Sequence, residues 1–142
     1  MPTEDKNLPV GNSETRVDEP ADVTYSMSGG LVGLLASLKI SVAFSSYQSG
    51  KFYLLGRNPE GGLMVNEQFF RQAMGIHVSG GTIHLATLSE IVRLENVLEP
   101  NQRINDTFDA CFVPRTAHVT GALDAHDLGI DRDGRILFVN TR

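Results

Sequence analysis

The sequence has a single cysteine, Cys111, in 142 residues. One cysteine excludes an intrachain disulfide and any zinc site built from paired cysteines. It stands in the apolar run Ala110-Cys111-Phe112-Val113, so it reads as a buried structural thiol, and a chain without disulfides suits a reducing compartment. Basic clusters are missing too. The 12 lysines and arginines are scattered and the net charge is −5. A nucleic-acid surface needs gathered cations to meet the phosphates, so no nucleic-acid partner is expected. The longest apolar run, Leu31 to Leu38, falls far short of the ~20 residues that span a bilayer, so no membrane is expected either. The opening residues, MPTEDKNLPVGNSETRVDEPAD, lack the basic start and apolar core of an export signal. These absences predict a soluble, cytoplasmic protein.

Catalytic signatures are absent as well. The chain has no Gly-x-Ser-x-Gly elbow, no phosphate-binding glycine loop and no catalytic cysteine motif. Asp131-Arg132-Asp133-Gly134 starts like a calcium loop, but its glycine comes too early and no glutamate closes it, so it reads as a turn. Asn105-Asp106-Thr107 is not a glycosylation acceptor. Whether the protein is an enzyme stays open. No cofactor is identifiable, and a divalent metal is the one the residues allow.

What the chain does contain is a repeated hairpin. Asp124 to Thr141 reads DAHDLGIDRDGRILFVNT, with apolar runs at Leu128 to Ile130 and Ile136 to Val139 around a polar loop ending in Gly134. Such a glycine supplies the positive φ that a hairpin turn needs. The text recurs earlier as QAMGIHVSGGTIHLATL, Gln72 to Leu88. Gly75-Ile76 matches Gly129-Ile130 at a spacing of 54, and Ile83 and Ala86 match Ile136 and Val139 at 53. A hairpin that recurs at this interval with strands between is the mark of propeller blades.

The rest of the chain fits that frame. Residues 1–28 are polar and proline-rich, and a segment that buries so little apolar surface reads as a disordered tail. Gly29-Gly30 ends it. Leu31, Leu34, Leu35 and Leu38 then predict a helix of about two turns with one leucine face. Strands are expected at Ile40–Ser46, Lys51–Arg57, Leu63–Phe70, Ala73–Val78, Thr82–Leu88, Glu90–Leu94 and Phe108–Pro114, with His118–Leu123 ambiguous. A blade is a four-stranded meander. Ala73–Val78 would open one blade, which Phe108–Pro114 would close. The three earlier strands would be strands two to four of the preceding blade, and the second hairpin would begin the next. The fold class is therefore all-β: a partial β-propeller of about two to three four-stranded blades in an incomplete ring, spanning 29–142, with the tail and one short helix.

Starting and stopping inside blades leaves sheet edges open, so this reading expects an N-terminal fragment cut near Arg142. A ring of six or seven such repeats would need about 320–370 residues. An open sandwich complete at this size is the alternative.

Three stretches also resemble a known family: Phe44-Ser45-Ser46-Tyr47-Gln48-Ser49-Gly50-Lys51, Phe69-Phe70-Arg71-Gln72-Ala73-Met74-Gly75 and Asp124-Ala125-His126-Asp127. They are similar to an uncharacterised bacterial family, a domain of unknown function catalogued as conserved hypothetical proteins. The resemblance runs from Val32 to Arg142. It implies a β-propeller-like fold and a longer parent chain, and it implies no activity. The hairpin text also resembles NHL-type and gluconolactonase-type blades, though fold likeness does not carry function.

Functional candidates follow from the repeat. It aligns Gln72 with His126 and Ala73 with Asp127, at the start of the innermost strand near a channel mouth, where ligands commonly sit. Arg71, Gln72, Asp124, His126 and Asp127 are the ligand-binding candidates. A histidine beside two carboxylates suits a divalent metal or acid/base work. The competing reading is that the His-Asp pair only bonds backbone and locks blades together. Ser45 to Gly50 offers hydroxyls and an amide, either at the same mouth or as a plain loop. His77 and His84 flank Gly80-Gly81, and a two-residue loop would place them directly opposite each other. With His126 they are the weak metal candidates. The favoured function is a binding or interaction module presenting its mouth to a small molecule or protein partner. The alternative is a metal-dependent lactonase or hydrolase whose other ligands lie beyond Arg142. A fragment with no function of its own is the third reading.

Overall fold

A computed structural model describes residues 23–141. Of the tail expected over residues 1–28, residues 1–22 lie outside them. Residues 23–28 have no regular secondary structure, and there the Tyr25 ring stands edge-on to Tyr53 at 6.0 Å while its hydroxyl donates to Glu67. Lys51 Nζ reaches the same carboxylate at 2.8 Å, and these two donors hold Glu67 below the usual carboxylate range.

One short helix, α1 (Leu31–Leu38), follows Gly30 and stops where Lys39 turns left-handed at φ 53°. Its expected leucine face is only partly used. Leu35 is buried at 1% exposure, whereas Leu34 and Leu38 are 54% and 56% exposed. Among the described residues no helix is long and apolar enough to cross a membrane.

Among the described residues every other regular element is a strand, and the strands form three antiparallel sheets in chain order. The first holds β1 (Val42–Ser46), β2 (Lys51–Arg57) and β3 (Leu63–Phe69). The second is the meander β4 (Ile76–Ser79), β5 (Thr82–Ala86), β6 (Glu90–Asn96) and β7 (Phe112–Val119). The third is the hairpin β8 (Leu128–Ile130) and β9 (Ile136–Phe138). No closed ring forms among the described residues.

The alternation of apolar and polar residues builds the layers. Ile83 and Leu85 of β5 and Val92 and Leu94 of β6 share one face, and they pack with Phe52 and Ala43 of the first sheet. Ala86 and Ile91 lie on the other face and pack with Met74, Ala125 and Leu128. The middle sheet is thus buried on both sides, with the first sheet on one and the hairpin on the other.

The β4–β5 turn is Gly80-Gly81 at φ 58° and 86°, the doubly left-handed conformation of the tightest hairpins. It sets the register so that His77 faces His84, as the sequence predicts. The expected matches of Ile83 with Ile136 and Ala86 with Val139 do not hold. Ala86 returns to Gly75, but Leu137 returns to Gly129. Gly75 to Ala86 spans eleven positions and Gly129 to Leu137 only eight, because the second ladder is shorter although its turn is longer, and the equivalence slides by two.

The last strand of the middle sheet is also displaced from the expected Phe108–Pro114. Ile104 and Phe108 pair with each other and close a small loop, so the strand starts only at Phe112. It continues past Pro114 because β7 is an edge strand and a bulge lies at this point, where Arg93 pairs with Thr116 and Leu94 with Pro114. Proline is tolerated at just such places. Cys111, just before this strand, is half-buried rather than buried.

The polar turn of the second hairpin is tied by Asp131. Its carboxylate accepts from Asp133 N at 2.9 Å, Arg135 N at 2.8 Å and Arg135 Nε at 2.7 Å, and Gly134 takes φ 79°. The bonds from Arg135 hold the carboxyl below its ordinary 3.8. A depressed carboxylate stabilises the fold above the unfolded value and loses that contribution as pH falls through the folded one. The Asp131 carboxyl carbon is therefore expected to titrate in NMR with a midpoint below 3.8, with the hairpin amides shifting in step. A midpoint at or above that value would contradict the tie.

Candidate functional site

Two links carry the chain from the last strand of one sheet to the first strand of the next: residues 70–75 and residues 120–127. They are built alike. Phe70 N donates to Gly50 O and Thr120 N to Ser89 O, both at 2.8 Å, which binds each link to the turn below it. Next, Arg71 O accepts from Leu88 N at 2.9 Å and Leu123 O from Thr141 N at 3.3 Å. The following residue is left-handed in both, Gln72 at φ 51° and Asp124 at φ 46°. By backbone position Gln72 therefore corresponds to Asp124, not to His126 as the sequence spacing suggests. The second link is two residues longer between its left-handed residue and the strand glycine, and His126 and Asp127 sit in that extra length.

The links also touch each other. Gly75 N donates to Ala125 O at 3.2 Å, and the Cβ that Gly75 lacks would stand 2.9 Å from Asp127 Cα. The end of β1 and the turn after it join them. Ser45 Oγ donates to Met74 O, and the Tyr47 ring lies 6.2 Å from the His126 ring. The first sheet and the two links thus meet at one end of the structure. Arg71 and Gln72 come from one link, Asp124, His126 and Asp127 from the other, and Tyr47 from the turn.

These side chains differ in what they leave available. His126 and Tyr47 are exposed. Asp127 is exposed too, but its Oδ1 accepts from Leu128 N at 2.9 Å, so part of that carboxylate caps its own strand. Asp124 O accepts from Thr141 Oγ1 at 2.8 Å. Gln72 Oε1 is buried and has no hydrogen-bond partner among the described residues. A buried amide oxygen left unpaired costs about 1–3 kcal/mol, so it marks a place worth testing for a ligand donor. Tyr47 is not among the ligand-binding candidates read from the sequence, although its stretch, Ser45 to Gly50, is read there as either lining the same mouth or forming a plain loop.

The metal candidates do not gather. His77 and His84 face each other with ring centroids 6.5 Å apart, on the middle sheet, and His126 lies in the link. Among the described residues no group of three or more His, Cys, Asp or Glu is placed to hold one metal ion. His84 is held below the ordinary imidazole value, first by burial, then by the charges of Arg93, His77 and His118. A cleft of about 530 Å³ lies elsewhere, between α1, the first sheet and the loop before β7. None of the ligand candidates lines it.

Residues 29–142 match the family described as a domain of unknown function (DUF4915). No curated protein and no solved structure matches the chain.

Proposed function

We propose that this chain, which belongs to the DUF4915 family of domains of unknown function, is a propeller-type binding module that takes a small polar molecule or a partner's polar side chain at the junction of its two links. The carrying observation is the approach of the Tyr47 ring to the His126 ring at 6.2 Å, where the turn after β1 meets the second link. The first link, in contact with the second, carries Gln72 with its amide oxygen buried and unpaired among the described residues. An aromatic ring, an imidazole and an unpaired amide oxygen at the meeting of separate elements form an ordinary recognition set. The blade reading draws support from the four-stranded meander and from the matched hydrogen bonds of the two links. A reducing, cytoplasmic setting suits the half-buried lone thiol of Cys111.

The test is an NMR screen of small polar molecules read on the ring protons of Tyr47 and His126. Hits are expected to move both rings and to be lost in His126→Ala and Tyr47→Ala. Both side chains are exposed, so each variant is expected to keep its stability within about 0.5–1 kcal/mol. Hits that survive both variants would overturn the assignment of this junction.

A further inference from the structure

The second cleft is separate from the link junction. It has a volume of about 430 Å³ and lies between the middle sheet and the β8–β9 hairpin, lined by Ser79, Thr82, His84, Arg93 and His118. Strand register puts its polar residues together. His77 faces His84, His84 faces Arg93, and His118 faces Ile91, one diagonal step from Arg93. Three of the chain's four histidines thus cluster around one arginine. In a chain of net charge −5 the residues lining this cleft include no acid.

The surrounding acids are accounted for. Glu95 holds Arg93 Nη2 at 2.5 Å and lies 3.9 Å from Arg115 Nε. A guanidinium carries five N–H donors, so one contact leaves others for an oxyanion. On the hairpin side, Arg135 pairs with Asp131 at 2.7 Å and with Asp133 at 2.9 Å. Ser79 and Thr82 bracket the Gly80-Gly81 turn and add two hydroxyls. His84 Nδ1 is buried without a hydrogen-bond partner among the described residues.

We propose that this cleft binds a small oxyanion of the phosphate class, free or carried on a phosphomonoester, through Arg93, His84, His118 and the hydroxyls of Ser79 and Thr82. The anion supplies the acceptors that these donors lack. It also favours the charged imidazole of His84, which burial and the neighbouring cations otherwise hold below the ordinary value, so binding strengthens as pH falls. The groups that set this dependence are His77 on β4, His84 on β5, Arg93 and Glu95 on β6, Arg115 and His118 on β7, and Asp131, Arg132, Asp133 and Arg135 on the hairpin.

The test follows histidine ring protons during titration of the full chain with sulfate, which keeps its charge across the range used. Saturable shifts are expected at His84 and His118 and none at His126. Affinity is expected to be at least about 5-fold higher near pH 6 than near pH 8. Arg93→Gln is expected to weaken binding about 10-fold or more. Should that variant fail to fold, His118→Gln at an exposed position replaces it, with a smaller loss expected. Parallel titrations with inorganic phosphate and glycerol phosphate separate the sources: tighter binding of the ester assigns a phosphomonoester, and equal binding assigns the free ion. Absence of saturable shifts, equal shifts at His126, or unchanged affinity in the variant that folds would overturn the proposal.

Discussion

Replacing Gly75 with alanine is expected to destabilise the protein by about 3 kcal/mol, the scale of overpacking against atoms that cannot move aside. The added Cβ would meet Asp127 Cα at 2.9 Å, Asp127 C at 3.0 Å and Ala125 O at 3.1 Å. All three are backbone, and all belong to the neighbouring link. Relief requires the two links to part, which also strains the Gly75 N to Ala125 O bond. For a domain of this size the melting temperature is expected to fall by roughly 10 °C. Gly129 is the control. It matches Gly75 in the repeat, yet a Cβ there meets nothing within 4 Å. Gly129→Ala is expected to stay within about 0.5 kcal/mol or to gain slightly, because alanine has less freedom to lose in a strand. Calorimetry of both variants checks the pair. Equal effects would mean that the links do not touch as described.

Phe52→Ala is expected to have the largest effect of all, about 3–5 kcal/mol. Phe52 is 2% exposed and is the largest side chain that the first sheet places in the shared core with Ile83, Leu85, Val92 and Leu94. Its ring stands edge-on to Phe70 at 6.2 Å, so the residue that opens the first link loses its partner as well. Domains of this kind have only about 5–15 kcal/mol in hand, so such a loss brings the first sheet close to detachment at room temperature. Denaturant melts should show it directly. Phe108→Ala, at 39% exposure in the loop before β7, is expected to cost about 1 kcal/mol or less. A Phe52 variant as mild as that one would mean that the first two sheets do not share a core.

What was legible in the sequence is what period and turn chemistry encode. The Gly80-Gly81 loop and the alternation of Ile76, Val78, Ile83 and Leu85 were enough to place His77 opposite His84. Grouping the strands as three, four and two was readable too, because the repeated hairpin marks where the second and third groups begin. The details that failed did so for local reasons. Pro114 reads as a strand terminator, but a bulge on an edge strand absorbs it. The text at Phe108 is apolar enough for a strand, yet Ile104 captures it into a loop. The leucine spacing of α1 is helical, but spacing does not say that only Leu35 finds a core. For the candidate site, Gln72 and His126 align by letters counted from the glycines. The backbone instead pairs Gln72 with Asp124, through a left-handed conformation that neither residue type announces. The Ser45 to Gly50 stretch is legible as a possible part of the mouth, but nothing local to its turn indicates that Tyr47 in particular meets the His126 ring.

The central claim is that three successive antiparallel sheets stack in chain order and bring their ends together at the two links. The most direct measurement is a set of interproton contacts in solution. Contacts between the Tyr47 and His126 rings, between Gly75 and the Ala125–Asp127 backbone, and between Phe52 and Leu85 are expected together. Finding strong backbone contacts between β3 and β4, or between β7 and β8, with the Tyr47–His126 contact absent, would show one continuous sheet and contradict the account.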